Sequence, residues 1–195
     1  DQNYMFTVTQ TVANAGTTAV PIAPYSFVNR TGVSKDPDSW TIHTGPMASH
    51  GGAADYGINF DDIDKTPANI TSKGGWYGFV DKYWLTAAIP DQGADVTAQF
   101  RAGANKSYQA DYTVAARALA PGAAITTTAR FFAGAKEVNL LDNYEDRFGI
   151  THFGKAIDWG WFEIIEKPIF KYLDWLFRMI GNFGVAIILL TFTVR

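Results

Sequence analysis

The stretch from Asp158 to Arg195, DWGWFEIIEKPIFKYLDWLFRMIGNFGVAIILLTFTVR, constrains this chain more than any other. Its first half, about Trp161 to Ile180, is patterned as an amphipathic helix dense in aromatic rings. On a helical wheel Glu163, Lys167, Lys171, Asp174 and Arg178 fall on one narrow side. Trp161, Ile164, Ile165, Phe170, Leu173, Trp175, Leu176, Phe177 and Ile180 take the rest. Glu163–Lys167 and Asp174–Arg178 are spaced to pair at i,i+4, at a few tenths of a kcal/mol each. Pro168 has no amide N–H and is expected to kink or restart the helix. Such a helix either docks on a soluble body or lies in a membrane interface, with its Trp and Tyr rings at headgroup depth.

The second half weighs toward the membrane. Gly181-Asn-Phe-Gly184 is a break, and the run from Phe183 to Val194 carries no charge before Arg195. Its apolar residues lie all round a helix, which water does not favour. Twelve residues span about 18 Å at 1.5 Å each, whereas a bilayer core is about 30 Å thick and takes about 20 residues. If a spanning helix begins here, Arg195 sits inside the hydrocarbon. An arginine at that depth costs a few kcal/mol and marks a functional site where it faces water or a counter-charge. The competing reading is a buried strand of a soluble core, ended by a surface arginine.

From Tyr4 to Phe132 the pattern has period two, the spacing of half-buried antiparallel strands. Phe6, Val8 and Val12 oppose Thr7, Thr9 and Thr11. Tyr83 to Ile89, Val96 to Arg101, Tyr108 to Ala116 and Ile125 to Phe131 alternate likewise. Asn29–Gly32, Asp91–Gly93, Ala102–Asn105 and Pro121–Gly122 supply turn chemistry between them. The spacing predicts a β-sandwich. Gly45 to Pro67 is poorer in pattern and reads as a long loop with one strand at Tyr56 to Phe60. From Lys136 to Phe148 the period changes: Val138, Leu141, Tyr144 and Phe148 recur on one helical face, and Gly149 is placed to end it.

A chain of 195 residues can bury a core without staples. Net charge of -3 offers no broad basic surface for nucleic acid. With no cysteine, disulfides and thiolate metal sites are excluded, while the compartment stays open. Asp1 is not an initiator methionine and no leader pattern follows it, so the chain reads as a piece of a longer protein.

Two segments carry a resemblance. GWF…KPIFKYLDWLFRMIGNFGVAIILLTFTVR, Gly160 to Arg195, resembles the YidC family of bacterial membrane protein insertases at the entry to its membrane core. Gly74-Gly-Trp-Tyr-Gly-Phe-Val-Asp-Lys-Tyr-Trp…Ile89-Pro90 resembles that family's periplasmic-domain signature, G-W-x-G-x-x-D/Q-x-Y. The fold so implied is mainly β: a partial β-sandwich of the galactose-mutarotase-like supersandwich type over 1–134 and a helical linker over 135–158. An amphipathic interfacial helix over 159–182 and the beginning of a transmembrane helix over 183–195 follow. One spanning helix and further strands would precede the chain, and four spanning helices would follow it. Arg195, ending a T-F-x-V-R pattern, matches the arginine of the family's hydrophilic substrate groove. Trp161, Phe162, Phe170, Tyr172, Trp175 and Phe177 are the expected membrane-interface residues. The implied partners are nascent inner-membrane proteins, the lipid bilayer and Sec translocon subunits, with no nucleic acid and no cofactor. The implied place is the bacterial inner membrane, with residues 1 to about 160 in the periplasm.

Other constellations are weaker. His43, His50 and His152 are not spaced as metal ligands, and zinc takes three or four. Asn59 to Asp64, NFDDID, lacks the glycine and terminal glutamate of a calcium loop and reads as a solvated acidic turn. Gly74-Gly75-Trp76 and Tyr83-Trp84 are aromatics of a kind that stack on sugars, though sandwich aromatics are more often core. No nucleophile triad, phosphate loop or carboxylate pair is spaced for chemistry, so no enzyme is expected. Two other readings stand beside the insertase: a soluble carbohydrate-binding or mutarotase-like sandwich, and a membrane-anchored interaction scaffold.

Overall fold

The computed structural model describes residues 3–34 and 42–195. The chain forms two compact units, Asp1–Ile157 and Asp158–Arg195. The first contains strands β1 (Met5–Ala13), β2 (Val20–Ile22), β3 (Tyr25–Thr31), β4 (Gly45–His50) and β5 (Ala53–Asp55), then helix α1 (Phe60–Lys65). It continues with β6 (Ala68–Lys73), β7 (Trp76–Val80), β8 (Trp84–Ile89), β9 (Asp95–Ala102), β10 (Ser107–Val114), β11 (Arg117–Leu119), β12 (Ala124–Ala135) and helix α2 (Val138–Phe148). The second unit is a helix pair, α3 (Glu163–Ile180) and α4 (Phe183–Val194).

The strands form antiparallel sheets in a sandwich. One sheet has six strands in the order β1-β12-β8-β7-β4-β5, and the facing sheet has four, β3-β10-β9-β6. A short β11-β2 ladder stands apart. Between the two large sheets lies one core, in which Tyr77, Phe79 and Ala88 meet Val28, Ala98, Phe100, Tyr108, Ala110 and Tyr112. Helix α1 adds Ile63 and Phe60 to it. A second core covers the opposite face of the six-stranded sheet. There Met5, Met47, Trp76, Leu85, Ile89 and Phe132 pack with Leu141 and Tyr144 of α2 and with Ile150 and Phe153 beyond it. Each large side chain fully removed from water here contributes about 1.5–3 kcal/mol.

The period-two segments are strands, with ends within a few residues of those expected. Helix α2 is present, and Gly149 ends it with a positive φ. Three expectations need correction. Gly45 to Pro67 is not a long loop: it contains β4, β5 and α1. Strand β4 lies between β5 and β7 and is buried from Gly45 to Ser49. With both faces covered it has no polar face, so alternation could not reveal it. Tyr56 to Phe60 is not a strand, and the acidic NFDDID segment is not a free turn. Asn59 caps α1 there, its Oδ1 accepting from the Asp62 amide at 2.9 Å. The third correction concerns β1, whose apolar face is not half-buried: Phe6, Val8 and Val12 are 50, 44 and 46% exposed. Strand β1 is the sheet edge, and Val8 on this face lines an open cleft shared with β3 and β10 of the four-stranded sheet.

The Gly74–Trp84 signature divides between the two environments. Trp76 and Tyr77 are fully buried, one in each core, whereas Tyr83 and Trp84 are 63 and 59% exposed. The first pair is therefore core and unavailable to a sugar. Gln92 clamps the turn before them: its Nε2 donates to the carbonyls of Gly75 and Pro90, and its Oε1 accepts from the Gly75 amide. Gly78 is needed for close approach, since a Cβ there would lie 1.9 Å from the Thr86 carbonyl oxygen on β8. The two sheets are also tied by Arg30 of β3, whose guanidinium donates to Asp81 at 2.8 Å. Burial alone would raise the Asp81 carboxyl. Hydrogen bonds from Arg30 and Ser34, with the charges of Arg30 and Lys136, outweigh it and hold Asp81 below the usual carboxylate value.

Two outcomes follow from this packing. Gly78→Ala lowers stability by at least ~1–3 kcal/mol, because the obstacle is backbone rather than a flexible side chain; urea unfolding followed by tryptophan fluorescence measures it. Asp81 has a depressed folded pKa, so its contribution is complete above the ordinary carboxylate value and is lost as pH falls from about 5 downward. Asp81→Asn is expected to be less stable at neutral pH and to show a shallower loss of urea midpoint on acidification than the unsubstituted chain.

Candidate membrane interface

The candidate site is built on the second unit. Helix α3 is entered through Trp159 and a 3-10 turn over Gly160–Phe162, with the Gly160 amide donating to Asp158 Oδ1 at 2.8 Å. Glu163 and Glu166 occupy its first turn and Arg178 its last, each matching the sign that the helix dipole favours. The helix continues through Pro168 rather than kinking apart or restarting at it. Pro168 sits in the second turn, where its missing N–H removes only the bond otherwise received by the Ile164 carbonyl. Asp174 and Arg178 pair at 2.9 Å, at the expected i,i+4 spacing.

The break falls at Gly181-Asn182. Gly181 ends α3 with φ of 72°, a left-handed conformation that a residue with a Cβ enters at a cost of ~1–2 kcal/mol. Its amide donates to the Phe177 carbonyl at 2.7 Å. Asn182 then caps α4, its Oδ1 accepting from the Val185 amide at 3.2 Å. The chain thus stops one helix and starts another within two residues, and the two helices pack on each other. Phe177 and Phe183 meet edge to face across the break, centroids 5.7 Å apart.

The run from Phe183 to Val194 is helical, which removes the buried-strand reading. Only Leu176 and Ala186 of the described residues in this unit are buried. Trp161 is 99% exposed, Phe162 62%, Trp175 52%, Phe170 and Phe177 38% each. Tyr172 is half-buried and stacks on Trp175 at 5.8 Å. Ile164, Met179, Ile188 and Phe192 add to the apolar surface. Such an extent of apolar side chain in contact with solvent is the pattern of a surface that meets lipid or protein. Arg195 follows α4 and is exposed. No described helix is long and apolar enough to cross a membrane.

A cleft of about 360 Å³ lies in the first unit, where the β1 and β3 edges of the two sheets face each other. Val8, Gln10, Tyr25, Tyr112, Thr127 and Arg117 line it. Its only acid among the described lining residues is Asp91, whose Oδ1 accepts from the Gly93 amide. Burial pushes the Tyr112 phenol up to about 12, so it serves as a neutral donor and not as a base. The histidines are not brought together as a ligand set. His43 meets the Pro46 carbonyl at 2.9 Å, His50 meets Asp55 at 3.1 Å, and His152 meets the Gly52 carbonyl at 2.7 Å. Sequence reasoning passed over Arg30–Asp81 and the exposure of β1, because both depend on strands distant in the chain.

Comparison with known proteins gives a consistent answer along the whole chain. The sequence profile of the YidC periplasmic domain matches residues 1–172. A protein of Zymomonas mobilis named membrane protein insertase YidC is 50% identical over the whole of this chain, covering 34% of its own length. Proteins of the same name from Methylorubrum extorquens and Rickettsia canadensis are 41% and 35% identical, again over the whole chain, covering 34% and 36% of theirs. The chain spans about a third of the length of these curated relatives.

The capped break makes a measurable difference. Asn182→Ala removes the cap at a cost of about 1 kcal/mol. Amide hydrogen exchange at Val185 and Ala186 is expected to quicken about fivefold, with exchange in the middle of α3 unchanged.

Proposed function

The chain belongs to the YidC periplasmic-domain family, and from that premise we propose that it is the periplasmic and membrane-entry part of a membrane protein insertase. The observation that carries the reading is the helix pair α3–α4: an aromatic amphipathic helix, a capped break, and an uncharged, largely apolar helix that leads to an arginine. In this reading the sandwich occupies residues to about 134, the linker 135–158, the interfacial helix 159–182 and the entering helix 183–195. Residues up to about 160 stand in the periplasm of a bacterium, at its inner membrane.

Each part has a physical task. Helix α3 lies along the membrane surface. Trp161, Phe162, Phe170, Trp175 and Phe177 insert to the depth of the headgroups and upper acyl chains, Tyr172 keeps its hydroxyl wet, and the charged stripe faces water. Helix α4 turns into the bilayer at Gly181-Asn182. Arg195 then arrives about 18 Å along that helix, at a depth where a charge persists only beside water or a counter-charge. It is the cation of a polar groove that receives nascent inner-membrane proteins. Two charges 4 Å apart attract by ~1 kcal/mol in water and by ~4 kcal/mol at an effective dielectric of about 20. An acidic or polar stretch of an incoming chain is drawn toward Arg195, and its apolar residues then partition into lipid with no cofactor and no covalent step. Sec translocon subunits are the partners this reading implies for substrates delivered during translocation.

The test is Arg195→Ala in the intact protein, with Arg195→Lys beside it. Insertion of substrates bearing acidic residues before their apolar segment is expected to fall about tenfold in the alanine variant, the effect of losing ~1.4 kcal/mol. The lysine variant retains most of it. Unchanged insertion by the alanine variant overturns the role of this residue.

A further inference from the structure

A feature of the first unit remains outside this account. The β7–β8 hairpin is closed by the Asp81 amide donating to the Trp84 carbonyl at 2.9 Å, which leaves Lys82 and Tyr83 as a two-residue tip. The tip is not a polar turn. Tyr83 and Trp84 are 63 and 59% exposed, and the Lys82 ammonium lies 5.3 Å from the Tyr83 ring centre. Three other groups stand at the same end of the sandwich. Val33 is 49% exposed, beside Ser34, whose side chain hydrogen-bonds Asp81. Tyr4 is 42% exposed and lies over Gly134, next to Ala135, the cross-strand partner of Trp84. Lys136 follows directly after that strand, its amide donating to the Tyr83 carbonyl.

We infer that this end of the sandwich, with Tyr83 and Trp84 at its tip, is a second lipid-contacting surface that rests on anionic headgroups. The inference depends on the membrane reading of the helix pair. The chemistry favours lipid over a protein partner on three grounds. The exposed rings are Trp and Tyr, which carry both an apolar body and a polar handle and settle at the water–bilayer boundary. The cations beside them are lysines, of which Lys82 is exposed and Lys136 half-buried against the charge of Asp81. Lysines near a surface are drawn to anionic headgroups by charge. The described apolar patch is four side chains, whereas a stable protein interface covers about 800 Å² per partner.

The test uses the intact protein, freed of cysteines outside this stretch, in nanodiscs of phosphatidylethanolamine and phosphatidylglycerol. Spin labels are placed singly at Tyr83→Cys, Trp84→Cys, Thr17→Cys beyond the far end of β1, and Trp161→Cys on the 3-10 turn that enters α3. Collision with oxygen relative to a water-soluble nickel chelate reports depth. The expected result is a several-fold higher ratio at positions 83 and 84 than at 17. Ratios at 83 and 84 equal to that at 17, with a lipid-like ratio at 161, overturn this inference and leave the helix-pair reading standing. A water-like ratio at 161 sinks the membrane reading itself, and this inference with it. Labels at 83 and 84 shielded from both colliders indicate a protein contact, which also overturns it.

Discussion

Strand β7 feeds two cores at once, and the layered architecture rests on that. Trp76 and Val80 point into the layer under α2, while Tyr77 and Phe79 point between the sheets. All five of its residues are buried. A strand covered on both sides has no polar face to spend on water, so its backbone must pair fully with β4 and β8 and its neighbours must come close. Gly78 and the Gln92 clamp at Gly75 are consequences of that crowding. Phe153 completes the outer core, edge to face with both Trp76 and Phe132 at 5.7 and 5.4 Å, and so ties the segment after α2 to the sheet.

The second unit obeys the opposite rule. Its two helices leave most of their apolar side chains uncovered, and the pairs described in them are local, among them Asp174 with Arg178, Tyr172 with Trp175 and Phe177 with Phe183. A surface of that kind gains free energy when lipid or a protein partner replaces water against it. The same physics explains why the position of one arginine matters. In the sheets, Arg30 is satisfied by Asp81 at close range. On the proposed membrane reading, the Arg195 guanidinium at the end of α4 lies in hydrocarbon, where its demand for a counter-charge is one that an incoming polypeptide supplies.

Aromatic residues separate these two regimes. Trp76 and Tyr77 anchor cores, Tyr83 and Trp84 crown a hairpin, and Trp161 and Trp175 stud a helix, though nothing in the residue types distinguishes them. Tyr112 shows how burial alone reshapes chemistry, its phenol pushed up to about 12 inside the sandwich.

Local periodicity determined a good deal. The alternating runs that became β8, β9, β10 and β12, the three- and four-residue spacing of α2 with its terminal Gly149, and the Gly181-Asn182 break were all visible in the amino-acid order. So were the aromatic helix and the charged stripe, because helix and strand periods are properties of neighbours in the chain. What the order could not disclose was decided by distant partners. Strand β4 escaped notice because both its faces are covered, and α1 because it is a single capped turn and a half in an acidic stretch. Strand β1 has the alternation of a half-buried strand, yet its apolar face is open, because it is an edge strand whose face borders an open cleft. Tertiary structure alone placed β12 between β1 and β8 and set Met5 against Phe132, since pairing across 127 positions is fixed by the packing of whole sheets and by no pattern within either strand.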